Sequence, residues 1–127
     1  MPGAWTSLGS GCGAPAPVLA VAGSLQTGST FTCTLQGTPG LIAAALYSLT
    51  LQQPATELAP GCMFLLPPTA VTPGLHLLDS TGAGQDTFAV PPLALFAGLT
   101  FAGQGAVLDA GQPAGFSLTN AIFLVVR

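Results

Sequence analysis

The chain has 127 residues, 50% apolar and only 4% charged, with a formal net charge of −3, whereas an ordinary soluble domain is about 25% charged. That length fits one domain around one core. Arg127 is the single cation and Glu57, Asp79, Asp86 and Asp109 are scattered, which excludes a nucleic-acid surface, an acidic disordered tail and a charged amphipathic helical bundle.

Glycine (17) and proline (12) recur every few residues, and a helix interior tolerates neither well. Alternation with a period of two is the dominant signal. Residues 1–14 are Gly/Ser-rich and read as a flexible lead-in, leaving residues 15–127 as a single sandwich domain. Neither a basic segment nor an apolar segment of the signal-peptide kind opens the chain. It is expected to start at a cut point or early within a longer exported protein. Residues 17–22 predict a first strand. Residues 30–36 predict a second, with Phe31, Cys33 and Leu35 inward and Thr32, Thr34 and Gln36 outward. A turn at residues 37–40 leads to a strand over 41–51, where Ala43-Ala44-Ala45 admits a helical turn instead.

Residues 62–66 form a short apolar strand ended by Pro67-Pro68. Residues 75–78 and 86–90 predict a hairpin around a Gly-rich turn. Residues 91–97 predict one helical turn behind Pro91 and Pro92. In the long strand over 99–108, Gly103 and Gly105 mark a bulge or a close backbone approach. A hairpin connection at 109–115 leads to the closing strand over 116–126. There Phe116, Leu118, Ile122, Leu124 and Val126 share one parity, and Phe123 and Val125 make the other side apolar too. Such a strand is central or covered by a partner. The sum is an all-β fold, an antiparallel β-sandwich of Ig-like or jelly-roll type with seven or eight short strands.

Mean hydropathy is high, but the apolar residues are not continuous. A spanning helix needs about 20 consecutive apolar residues, and the richest stretch, residues 41–51, already contains Ser48 and Thr50. With one Trp and one Tyr beside seven Phe, the aromatic girdles of a barrel pore are missing. Polarity is carried by Thr, Ser, Gln and Gly with no lysine, which points outside the cell.

Cys33 alternates with Phe31 and Leu35 and reads as a buried small hydrophobe. Cys12 and Cys62, each preceded by glycine at a loop-to-strand junction, are then the disulfide candidates; three reduced thiols is the alternative. No CxxC spacing supports a metal site.

Candidate chemistry is thin. His76 is the one imidazole, in a strand and without a GxSxG elbow, so no catalytic residue is assigned and the expectation is a non-enzyme with no cofactor. Its expected role is a strand histidine facing solvent or bonded to a neighbour. Asp79 and Asp86 flank a loop of hard-oxygen side chains and are weak calcium candidates, but Asp and Gly are what a hairpin turn selects, so the turn is the preferred reading and no metal site is assigned. Trp5 stands in the Gly/Ser-rich lead-in. Together with Phe123 and Val125 it is a candidate interaction residue.

Several short motifs recur in a telling order: Gly11-Cys12, Gly28-Ser29-Thr30-Phe31, Pro60-Gly61-Cys62 and Asp79-Ser80-Thr81-Gly82. Leu99-Thr100-Phe101 with Gln104 and Asp109, then Leu118-Thr119-Asn120, complete the series. Over residues 11–127 this order resembles a module common near the C-termini of predicted secreted proteins in planctomycete-type bacteria. The resemblance implies an exported β-sandwich and a Cys12–Cys62 bridge, and it carries no established activity. Cys33 and Ala102-Gly103 depart from the family pattern. The expected role is structural or attachment, outside the cell or at its surface. The expected partners are neighbouring domains of a surface protein or further copies of the chain, which would self-assemble by strand addition. A glycan- or calcium-dependent binding module is the remaining alternative.

Overall fold

The alternating pattern becomes ten strands among the residues described by a computed structural model, 5–13, 15–52 and 54–127. They are β1 (Trp5–Leu8), β2 (Val18–Gly23), β3 (Thr30–Gln36), β4 (Ile42–Ser48), β5 (Thr56–Ala59) and β6 (Cys62–Phe64). The remainder are β7 (His76–Leu77), β8 (Ala83–Ala89), β9 (Thr100–Leu108) and β10 (Phe116–Val125). A five-stranded sheet runs β1-β10-β9-β4-β7, a three-stranded sheet runs β2-β3-β8, and β5-β6 make a separate ribbon. Every pairing is antiparallel. The fold is therefore all-β, with antiparallel sheets packed face to face as a β-sandwich. Among the described residues no helix is long and apolar enough to cross a membrane.

The parity of β3 holds: Phe31, Cys33 and Leu35 are buried. They face Ala43, Ala45 and Tyr47 of β4, Val107 of β9, and Ile122 and Leu124 of β10 in one apolar core. Small residues on the larger sheet make room for large ones. A Cβ on Gly103 would stand 2.9 Å from the Tyr47 ring, and one on Gly105 would collide with Leu35. The close approach expected of these glycines is thus to side chains of the core. The register irregularity in this region lies in β10 instead, between Leu118 and Ala121. Phe31, Tyr47, Phe88 and Phe101 close one end of the core, their ring centroids 4.9 to 5.7 Å apart.

Three expectations change. Trp5–Leu8, assigned to the flexible lead-in, is a strand paired with β10, and Cys12 also bridges to Leu118. The pairing is long-range, so no local pattern announces it. Second, the hairpin over 75–90 is a crossover. β7 pairs with β4 and β8 pairs with β3, in different sheets. Only the turn survives, held by bonds between Asp79 and Ala83 and between Gly82 and Asp79. Third, β1 and β5 raise the strand number from the expected seven or eight to ten, and the arm expected over 75–78 shrinks to the two-residue β7. The helical turn at 91–97 is a short 3-10 turn at Ala94–Phe96. The Ala43-Ala44-Ala45 run is strand.

Candidate functional site

The groups with chemical capacity meet inside the sandwich. β3 and β8 place Cys33 opposite Asp86, and Tyr47 of β4 and His76 of β7 reach the same carboxylate from the larger sheet. Tyr47 OH donates to Asp86 Oδ2 at 2.6 Å, and His76 Nε2 lies 2.8 Å from Asp86 Oδ1. A carboxylate only accepts, so Nε2 carries the proton. The Asp86 side chain is 8% exposed and that of His76 25%. His76 is therefore bonded to a neighbour, one of its two expected roles.

Asp–His is the orienting half of many catalytic constellations, and a nucleophile within hydrogen-bond reach of the other imidazole nitrogen would complete it. No described residue bonds to His76 Nδ1. Cys33, opposite Asp86, is the thiol of the cluster, and it is buried. Burial pushes its thiol up to about 12; the Tyr47 hydroxyl eases this and the Asp86 charge adds to it. The Tyr47 hydroxyl is raised too, first by burial and then by its bond to Asp86. Both stay protonated at ordinary pH, so Cys33 has no thiolate to attack with.

Asp79 and Asp86, the weak calcium candidates, are engaged separately in the structure. Asp86 is inside, engaged on both oxygens. Asp79 Oδ1 accepts the Thr81 N–H at 2.8 Å, the Thr81 hydroxyl at 2.6 Å and the Ala83 N–H at 3.0 Å. These bonds hold its carboxyl below the usual range and define an Asx turn. No group of three or more His, Cys, Asp or Glu that could hold a metal occurs among the described residues.

A second set of polar side chains binds the sheets together. Asn120 Oδ1 accepts the Leu19 N–H at 2.9 Å, and Asn120 Nδ2 donates to Leu19 O at 3.0 Å and Ser7 Oγ at 2.8 Å. The amide thus replaces a neighbouring strand along β2. Gln104 does the same for the ribbon. Its Oε1 accepts from Leu65 N, and its Nε2 donates to Met63 O and Thr119 O, each at 2.9 Å. Two residues of β10, Thr119 and Asn120, face the single Gly105 of β9 at the irregularity. That extra residue is what aims Asn120 at β2. The Cys12–Cys62 disulfide, with Cα atoms 5.2 Å apart across 50 residues, ties the ribbon to the segment after β1. Cys33 is the free cysteine.

The expected interaction residues do not share a face. Trp5 pairs with the inward Leu124, whereas Phe123 pairs with Thr6 and Ala102 on the outer face, which Val125 also joins. Trp5 is 38% exposed, at the sheet edge. Sequence reasoning missed a different outer row. Ile42 pairs with Leu77, and Phe116 with Leu108. The Ala43–Val107 register places both pairs on one face. Leu77 is 72% exposed, Leu108 60% and Ile42 45%. A cavity of about 520 Å³ opens beside Phe116, lined by the disulfide, Pro60 and Pro113. Alternation in β4 and β9 carried half of this signal, and the pairing of β7 supplied the rest.

The chain matches no family model, no curated protein and no solved structure.

Proposed function

We propose that the chain is a non-catalytic β-sandwich module with a structural or attachment role, working outside the cell or at its surface. The observation that carries this reading is the internal use of its reactive groups. Asp86 is bonded to His76 and Tyr47, the Cys33 thiol is buried and protonated, and two cysteines form a bridge. What the module offers a partner is surface: an uncharged apolar row, Leu77, Ile42, Leu108 and Phe116, on a framework held by a disulfide and two amide clamps. Disulfides persist in oxidising compartments, which supports export. The order of motifs that resembles a secreted bacterial module supports it as well.

The test is a panel of ester, peptide and glycoside substrates offered to the oxidised chain and to His76→Ala. No turnover by either protein is expected. Turnover that disappears in the variant refutes the non-catalytic reading. In parallel, the chain is expected to co-sediment with cell-envelope fractions, and Leu77→Asp is expected to weaken that at least several-fold.

A further inference from the structure

Antiparallel sheets leave an unpaired row of N–H and C=O groups at each edge, and folded proteins usually block such rows. Most edges here are blocked. Asn120 occupies Leu19 on β2, Gln104 occupies Leu65 and Met63 beside β6, and Val71 exchanges both backbone bonds with Tyr47 past the end of β7. β1 and β5 are four residues each. β8 is the most open of them. It is seven residues long, pairs only with β3 along an unbroken register, and contains neither proline nor lysine.

Its free groups follow from the ladder. The Val90 N–H bonds to Ser29 O, and Val90 O accepts from Gly28 N, so Val90 faces β3. Alternation turns Phe88, Asp86 and Gly84 the same way and sends Gln85, Thr87 and Ala89 outward. Ala83 is already bonded to Asp79 through both its N–H and its carbonyl. The outward backbone groups of Gln85, Thr87 and Ala89 have no partner among the described residues. Their side chains are exposed and uncharged. The one charge in the strand, Asp86, points inward.

We infer that this edge is an interaction surface for a second copy of the chain, joined β8 to β8 in antiparallel register about a two-fold axis through Thr87. The edge is self-complementary in that register. Thr87 meets the second copy's Thr87 and exchanges both backbone bonds with it, and Gln85 meets the second copy's Ala89. The side-chain chemistry continues across the join. Thr32 and Thr87 already pair on the outer face, their hydroxyls 3.2 Å apart. The two-fold extends that pair into a row of four threonines, a favourable cross-strand arrangement. No like charges are brought together. The two three-stranded sheets become one continuous sheet, and the most open edge is closed in both copies. The inference stands on edge geometry alone and is independent of the attachment reading.

The test is sedimentation velocity on the full oxidised chain over a range of concentrations. The wild type is expected to move reversibly from the single-chain mass of 12.5 kDa to twice that mass, over the roughly micromolar-to-millimolar range typical of modest contacts. Thr87→Lys and Thr87→Glu each place like charges opposite one another and are expected to be monomers. An equal mixture of the two is expected to dimerise again, because Lys then faces Glu. Circular dichroism checks that both variants keep the strand signal, and Gln85→Lys serves where either fails to fold. A wild type that keeps the single-chain mass at every concentration overturns the inference. So does a dimer indifferent to these charges, or a mixture that stays monomeric.

Discussion

Replacing Asn120 by alanine removes three hydrogen bonds at once, and their surroundings set the cost. The bond to Ser7 lies toward the surface, where water replaces the partner. The other two join the N–H and carbonyl of Leu19, which is 1% exposed, so both groups are left unpaired in the interior. Each unpaired buried group costs about 1–3 kcal/mol. The expected destabilisation is about 3 kcal/mol, which lowers the melting temperature of a chain this size by roughly 10 °C. Urea unfolding of the oxidised protein, followed by circular dichroism, reads the change directly. Ser7→Ala removes only the outer bond and is expected to cost less than about 0.5 kcal/mol. If Asn120→Ala stays within about 0.5 kcal/mol of wild type, the amide is not closing the edge of β2 and the reasoning fails.

Gly103→Ala brings a Cβ to 2.9 Å from a Tyr47 ring that is pinned by its hydroxyl to Asp86. The expected cost is about 1–3 kcal/mol with a changed near-ultraviolet tyrosine signal; an unchanged urea midpoint contradicts it. Cys33 is expected to resist thiol reagents at pH 8 in the folded chain and to react once on unfolding, because burial and a thiol pushed up to about 12 act together. Rapid native labelling followed by mass spectrometry refutes this. The lowered pKa of Asp79 makes its turn bonds stabilising above its unfolded value of about 3.9. That stability drains away as pH falls through the folded value. A melting-temperature profile should therefore drop below about pH 4, and Asp79→Ala should flatten that part of the drop.

The sandwich was legible because alternation is a local property. Phe31, Cys33 and Leu35 go inward in the structure as their spacing predicts, and the Gly-flanked cysteines are the pair that bridges. The arms of the 75–90 segment alternate whether they pair with each other or with different sheets, so turn chemistry alone suggested a hairpin. Only tertiary pairing to β3 and β4 separates them. Gln104 and Asn120 look like solvent-facing polar residues in a strand. Their role depends on the β10 irregularity and on edges contributed from more than 35 residues away, with separations of 39 and 101. Asp86 did carry a signal. It shares its parity with Phe88, which placed it on the inner face, away from Asp79 in the loop. Trp5–Leu8 gave none, because four residues in a Gly/Ser-rich setting become a strand only beside β10.

The most direct test of the proposal that this disulfide-held module is exported is the thiol state of the chain isolated from its native cells. Unfolded and alkylated without reductant, it is expected to take up one alkyl group, on Cys33, and to yield a linked Cys12–Cys62 peptide on digestion. Three alkyl groups and no linked peptide would place reduced thiols where the bridge is drawn, and would contradict both the framework and the oxidising compartment.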